Sequence, residues 1–244
     1  MGLSVAYTSA AVLLLITLAV SRVIWVLPFY RLNVAQGGGE NVTDRSLLEE
    51  LAVKNNGAPP APLQTFVFLG SGGHTGEMLR LLQNFSGLLL KGGATLHIGY
   101  SDDQSLQKFQ KLIGTHTDVH VHYYRFVKAR EVGAGLGASV VSILRTLATS
   151  FAHVVRVKMA MMNKPHLVLL NGPGTCCIIS LWCKILDVLL LCTSSNIVYV
   201  ESLARISTLS LTGKILYWLA DLFVVQWEEL LPALPRAKYY GILV

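Results

Sequence analysis

Six short, mostly apolar runs recur along the chain: TFVFL (65–69), ATLHIGY (94–100), VHVHYYRF (119–126), HLVLL (166–170), NIVYV (196–200) and LFVVQ (222–226). Between successive runs lies a segment with helical spacing, the longest at 137–162 and 175–191. Strand and helix in regular succession point to an α/β fold, because parallel neighbours need a helical crossover. Strands this uniformly apolar are what burial on both faces requires. The expectation is an open, mostly parallel sheet with helices on both sides. It occupies residues 63–244, enough chain for one such domain and too little for two. The apolar run 175–191 is also close to the length of a membrane span. Lys184 and Asp187 inside it, and strands on either side, favour a covering helix.

The first 21 residues carry no charged side chain, and Arg22 and Arg31 follow. About 20 apolar residues span a bilayer core, and the basic residues remain on the cytosolic side. Residues 1–30 are therefore expected to anchor the chain with its N-terminus across the membrane and its body in the cytosol. A cleaved signal peptide fits less well, because no basic stretch precedes the apolar run. Asn41 and Asn84 stand in glycosylation-type triplets, which a cytosolic body leaves bare. Residues 31–62, with Gly37–Gly39 and an NNGAPPAP end, read as a linker around a possible helical turn at SLLEEL.

Composition removes several classes. The net charge of +6 lacks the dense basic stripe interleaved with aromatics that nucleic-acid binding needs. Cys176, Cys177, Cys183 and Cys192 have neither zinc spacing nor disulfide-framework spacing. His116, His120 and His122 allow a zinc site on paper, but alternation along a solvated strand face accounts for them better.

The chemistry concentrates in FLGSGGHTGEML, where the first strand gives way to its helix. Gly70, Gly72, Gly73 and Gly76 expose backbone N–H groups at a helix start, a ready site for phosphate. The nucleotide-hydrolase pattern GxxxxGK[ST] is absent, and GxGxxG is not matched. Asp102 and Asp103 after the second strand and the Tyr124–Lys128 spacing keep a membrane-tethered reductase as an alternative, although Tyr124 falls in a strand pattern. His74 is the candidate base, with Glu77 one turn further on as its rival. NGPGT (171–175) and the YVESLAR segment with Glu201 and Arg205 end later strands and reach the same rim. Glu201 and Arg205 also fit a local i,i+4 surface pair. In the helix 138–162, the stripe Val141, Leu144, Leu147, Phe151 and Val155 is expected to face the core. Arg145, His153, Arg156 and Lys158 line much of the rest and suit anionic lipid.

FLGSGGHTGEM, LVLLNGPGTC, YVESLARISTLSLTGKILYWLAD and FVVQWEELLPALPRAKYYGILV, in that order, closely resemble the membrane-anchor subunits of the eukaryotic asparagine-linked glycosylation UDP-N-acetylglucosamine transferase. The resemblance covers essentially the whole body. It implies one Rossmann-like half of a two-domain (GT-B) glycosyltransferase, similar to the N-terminal, acceptor half of bacterial MurG. A small soluble partner would supply the donor half that binds UDP-GlcNAc. The pair would add the second GlcNAc to GlcNAc-diphospho-dolichol on the cytosolic face of the endoplasmic reticulum, without cofactor or metal. On this match Gly70, Ser71, Gly72, Gly73, His74 and Thr75 would cradle the acceptor diphosphate. Asn171, Gly172, Gly174, Thr175, Glu201 and Arg205 would line the rest of the cleft. His74 would be the candidate base on the acceptor 4-hydroxyl, and this chain alone would be inactive. The apolar tail offers Trp227, Tyr239, Tyr240, Ile242 and Leu243 as the partner interface; its alternative role is to pack on its own sheet. A pure scaffold, its glycine loop merely structural, is the remaining alternative.

Overall fold

The computed structural model describes residues 2–28, 62–114, 118–129, 136–189 and 194–244. Helix α1 (Gly2–Val26) comes first. The body runs β1 (Gln64–Leu69), α2 (Gly73–Asn84), a one-turn α3 (Ser86–Leu89), β2 (Thr95–Tyr100), α4 (Asp103–Ile113), β3 (His120–Arg125), α5 (Leu136–Met161), β4 (His166–Asn171), α6 (Thr175–Leu189), β5 (Ile197–Val200), α7 (Leu211–Leu219) and β6 (Leu222–Val225). A 3-10 segment, Glu228–Ala233, and β7 (Ala237–Tyr239) follow. The strands form one sheet in the order β3-β2-β1-β4-β5-β6-β7, and every neighbouring pair is parallel. This is the expected Rossmann-like parallel sheet. The linker, SLLEEL, Asn41, His116 and Cys192 lie outside the described residues.

Alternate strand side chains build two cores. On one face Met78, Leu81 and Leu82 of α2 and Phe109 of α4 pack with Val67, Leu69, Leu96 and Ile98. On the other, α5, α6 and α7 cover Phe66, Phe68, Val168, Leu170, Tyr199 and Phe223. The chain leaves β1 towards β2 and β3, then crosses back to β4. The carboxyl ends of β1 and β4 therefore flank the switch point, where α/β sheets open a crevice.

The segment 175–191 is a covering helix, as expected. Lys184 holds Asp221 at 2.9 Å, and buried Asp187 is ion-paired with buried Lys158. The reading of α5 requires correction. Its expected core stripe faces outward in part: Val141 is 66% exposed, Leu144 61% and Phe151 43%. Thr146, Ser150, Val154, Val157 and Lys158 face the body instead. Thr146 and Ser150 pack inward without penalty because their hydroxyls donate to the Lys128 and Leu147 carbonyls. Lys158 does so because Asp187 neutralises it, so it is not available to lipid. A further difference is β7, which pairs with β6 through Ala237, Lys238 and Tyr239. A three-residue strand has no apolar run to announce it, and the edge of β6 creates it.

His120 and His122 of β3 are exposed, as alternation along a solvated strand face predicts, whereas His97 of β2 is buried. His97 places Nδ1 3.1 Å from the Tyr124 hydroxyl and Nε2 3.2 Å from Gln64 Oε1, and its ring stacks on His122. Tyr124 is thereby engaged inside the fold, and Asp102 caps α4 by accepting from the Ser105 N–H, so neither supports a reductase. Burial, reinforced by the charges of His122 and Lys164, holds the His97 pKa down at about 4, from an ordinary 6.5. The unfolded chain thus binds a proton at pH values where the folded chain does not. The stability this histidine contributes is present above pH 6.5 and is lost as pH falls from there through about 4. The melting midpoint of the wild type is expected to fall more steeply over that window than that of His97→Gln, read by thermal scans in detergent.

Candidate functional site

The site begins with backbone. Strand β1 ends at Leu69, and the loop Gly70–Gly72 turns into α2. Gly72 takes φ +65°, ψ −127° at the helix N-cap, a conformation that only glycine adopts readily. Ser71, Gly72 and Gly73 are exposed, and no side chain caps the helix start. Its first N–H groups therefore face the crevice, where the helix dipole favours an anion. The loop is braced from below. Buried Thr75 and Ser105 both donate their hydroxyls to the Gly70 carbonyl, and the Ser105 hydroxyl also lies 2.9 Å from the Asp102 carboxylate. The Thr75 side chain thus supports the loop, while its N–H belongs to the first turn of α2.

The second glycine turn lies directly against the first. Gly172 has φ +94°, and a Cβ there would overlap the His74 ring. A Cβ on Gly70 would come within 2.7 Å of Pro173 Cδ. Both glycines are thus needed for the close approach of the two turns, which seats His74 between them. Its side chain is 36% exposed, and its Nδ1 is buried without a hydrogen-bond partner, 3.7 Å from Glu77 Oε2. Gly174 is exposed beside it, whereas Thr175 is buried and accepts from the Ala129 N–H.

Glu77 links three segments. Its Oε2 accepts from Asn171 Nδ2 at 2.9 Å, and its Oε1 accepts from the Ser202 hydroxyl at 2.8 Å and the Leu203 N–H at 3.2 Å. Burial alone would raise the carboxyl pKa. The nearby His74 and the hydrogen bonds from Asn171 and Ser202 outweigh burial, so the pKa lies below the ordinary carboxylate value. A carboxylate so engaged is a poor base. It fixes the ends of β4 and β5 to the glycine-loop helix and holds negative charge beside His74.

The structure separates Glu201 from Arg205. The segment after β5 is not helical, so the i,i+4 pair does not form, and Arg205 is exposed. Glu201 is 1% exposed and accepts from the Ser202 and Ser210 N–H groups and the Ser210 hydroxyl, at the start of α7. A carboxylate at a helix N-terminus is stabilising there. Gly213 makes room for it, since a Cβ would overlap Glu201 Oε2. Sequence reasoning missed Ser105, a lone serine without a motif, and Ser202, which sits in YVESLAR between Glu201 and Arg205. Ser210, which caps α7, was missed as well, although a serine directly before an apolar helical run is the usual signal of a cap.

The tail divides in two. Trp227 donates from Nε1 to the Leu203 carbonyl at 2.6 Å, and Leu243 is held by Gln226 and Asn84. These residues serve their own fold. Tyr240 and Ile242 remain 61% and 56% exposed, and Tyr239 37%.

Comparison with known proteins places this geometry in a family. The profile described as "Oligosaccharide biosynthesis protein Alg14 like" matches residues 65–243. Among similar curated proteins is the UDP-N-acetylglucosamine transferase subunit ALG14 of Saccharomyces cerevisiae, 54% identical over 241 residues, covering 98% of this chain and 99% of that protein. The Candida glabrata protein of the same name is 50% identical and covers 99% of each chain. The Rattus norvegicus protein is 39% identical over 76% of this chain and 85% of its own. Similar solved structures include MurG of Acinetobacter baumannii, with TM-score 0.42 and 12% identity over 67% of this chain and 41% of that one. LpCGTa in complex with UDP has TM-score 0.45 and 12% identity, covering 75% of this chain and 53% of that one.

Proposed function

The chain belongs to the Alg14-like family of oligosaccharide biosynthesis proteins, and on that premise we propose that it is the acceptor-side, membrane-anchoring subunit of a UDP-N-acetylglucosamine transferase. A subunit implies a catalytic partner. The reading is that this partner is soluble, binds the UDP-sugar and is recruited by this chain to the cytosolic face of the endoplasmic reticulum. Helix α1, 25 residues long, is about 37 Å at 1.5 Å per residue, enough to cross a bilayer core of about 30 Å. The acceptor is a GlcNAc-diphospho-lipid of the dolichol type, and the product carries the second GlcNAc.

One observation carries the site assignment: the uncapped N-terminus of α2 faces the crevice with the half-exposed His74 beside it and the anionic Glu77 behind. The N–H groups of Gly72 and Gly73 bind the acceptor diphosphate. The His74 imidazole takes the proton of the acceptor hydroxyl as that oxygen bonds to the anomeric carbon of the donor sugar. The bond from that carbon to the UDP oxygen breaks with inversion, and UDP leaves with the electron pair. Glu77 offsets the positive charge that develops on the imidazole. The donor half must come from the partner, because one domain supplies one wall of the crevice.

The test is reconstitution in vesicles with UDP-GlcNAc and a short-chain polyprenyl diphospho-GlcNAc. Transfer is expected only when the partner is present, and full-rate transfer by this chain alone would overturn the split site. The exposed part of the tail is the recruiting surface. Tyr240→Ala combined with Ile242→Glu is expected to abolish partner capture without lowering the melting midpoint, whereas Leu243→Ala also lowers the midpoint.

A further inference from the structure

The α5–α6–α7 layer has an outward surface unlike the rest of the body. On α5, Val140, Val141, Leu144, Phe151 and Met159 are between 43% and 66% exposed. On α7, Leu211 is 71%, Ile215 45% and Trp218 55% exposed, and these form a stripe with i, i+4, i+7 spacing. Leu181 and Leu189 of α6, 38% and 70% exposed, belong to the same layer. Single exposed apolar side chains are ordinary, but a surface spread over three packed helices marks a contact.

Two observations identify what covers it. The first is charge. Arg145, Arg156 and Lys214 are exposed on these helices, whereas the only acidic residue of the three, Asp187, is fully buried. Apolar side chains fringed by cations, with no exposed carboxylate, match the acyl boundary and anionic headgroups of a bilayer. The second is the anchor. The end of α1 is fastened to this layer: Arg22 Nε donates to the Asp187 carbonyl at 3.0 Å, and Lys184 Nζ reaches the Val26 carbonyl at 3.4 Å. Trp25 beside this junction is 68% exposed, as an interfacial tryptophan at the end of a span would be. An α1 that crosses the membrane therefore brings the bilayer alongside α6.

We infer that the outward face of the α5–α6–α7 layer is a bilayer-contact surface, on which the domain lies flat beside its own anchor. The inference rests on the reading of α1 as a membrane span. By length and composition α5 itself could cross a membrane. It lies along the surface instead, because Thr146, Ser150 and ion-paired Lys158 are committed to the body. The consequence is positional. Helix α5 starts at the rim of the glycine turns, where Ser142 and Thr146 both donate to the Lys128 carbonyl and Ala129 donates to Thr175. Contact through Val140–Leu144 sets those turns near headgroup level, where a lipid-borne diphosphate is presented.

The experiment uses the full chain in phosphatidylcholine–phosphatidylserine vesicles with brominated acyl chains, which quench nearby tryptophans. Trp218→Phe is expected to remove part of the quenched emission, and Leu211→Trp to add to it. Charge reversal at Arg145 and Arg156 is expected to reduce the Trp218 component in vesicles containing phosphatidylserine. If Trp25→Phe lowers quenching while Trp218→Phe and Leu211→Trp leave it unchanged, the bilayer-contact face is wrong and the anchor stands. If none of the three changes it, both readings fall. Protection of Trp218 by the partner subunit in lipid-free detergent would also overturn the inference, by making this a protein interface.

Discussion

In the reconstituted pair, His74→Ala is expected to lower kcat by about 10²- to 10⁴-fold, the usual contribution of a positioned general base. The fold is expected to survive, because the His74 side chain is partly exposed and its Nδ1 makes no hydrogen bond. Glu77→Gln is expected to lower kcat less. It keeps an acceptor for Ser202 and Leu203 but removes the charge facing the imidazole. Glu77→Ala adds an unfolding penalty of about 1–3 kcal/mol, because Asn171, Ser202 and Leu203 lose their common acceptor. Partner capture, read by pull-down, is expected to be unchanged in His74→Ala. Undiminished transfer by that variant would make the glycine turns a scaffold and move the base to the partner chain.

The second large effect concerns stability. Asp187 is completely buried, ion-paired with Lys158 and hydrogen-bonded to the N–H and hydroxyl of Ser195. Asp187→Ala leaves an ammonium group 2% exposed without its counter-charge, and is expected to cost about 3–5 kcal/mol. Because a buried pair repays little more than its own desolvation, the double variant Asp187→Leu with Lys158→Met is expected to recover most of that loss. Urea unfolding in detergent measures both. The Arg22 contact goes to the Asp187 backbone carbonyl, so the α1 junction is expected to persist in each variant.

The parallel sheet, the position of α1 and the glycine turns were all legible in the sequence, for a local reason. A buried strand must be apolar along its length, a membrane span must be uncharged, and a turn that brings its N–H groups to an anion needs glycine; each requirement falls on contiguous residues. Gly70 and Gly172 could be picked out as turn glycines in this way. Their reason for being glycine in this fold, a shared seat for His74, belongs to two turns about 100 residues apart. Glu77 illustrates the limit. One turn after His74 it reads as a competing base, and only the approach of Asn171 and Ser202 from β4 and β5 turns it into an anionic clamp. Glu201 and Arg205 read as a pair only on a helix, and the chain after β5 makes none.

The orientation of α5 was decided by tertiary structure alone. Periodicity identifies an apolar stripe but does not say whether protein or lipid covers it, since both exclude water. Lys158 went inside because Asp187, on another helix, was there to meet it, and Val141 and Leu144 were left outside. The chain by itself determined the strands β1 to β6, the longer helices between them and where the glycine turns fall. Packing determined which face of each element is spent on the core, because that depends on partners distant in sequence whose charge and shape no local pattern records.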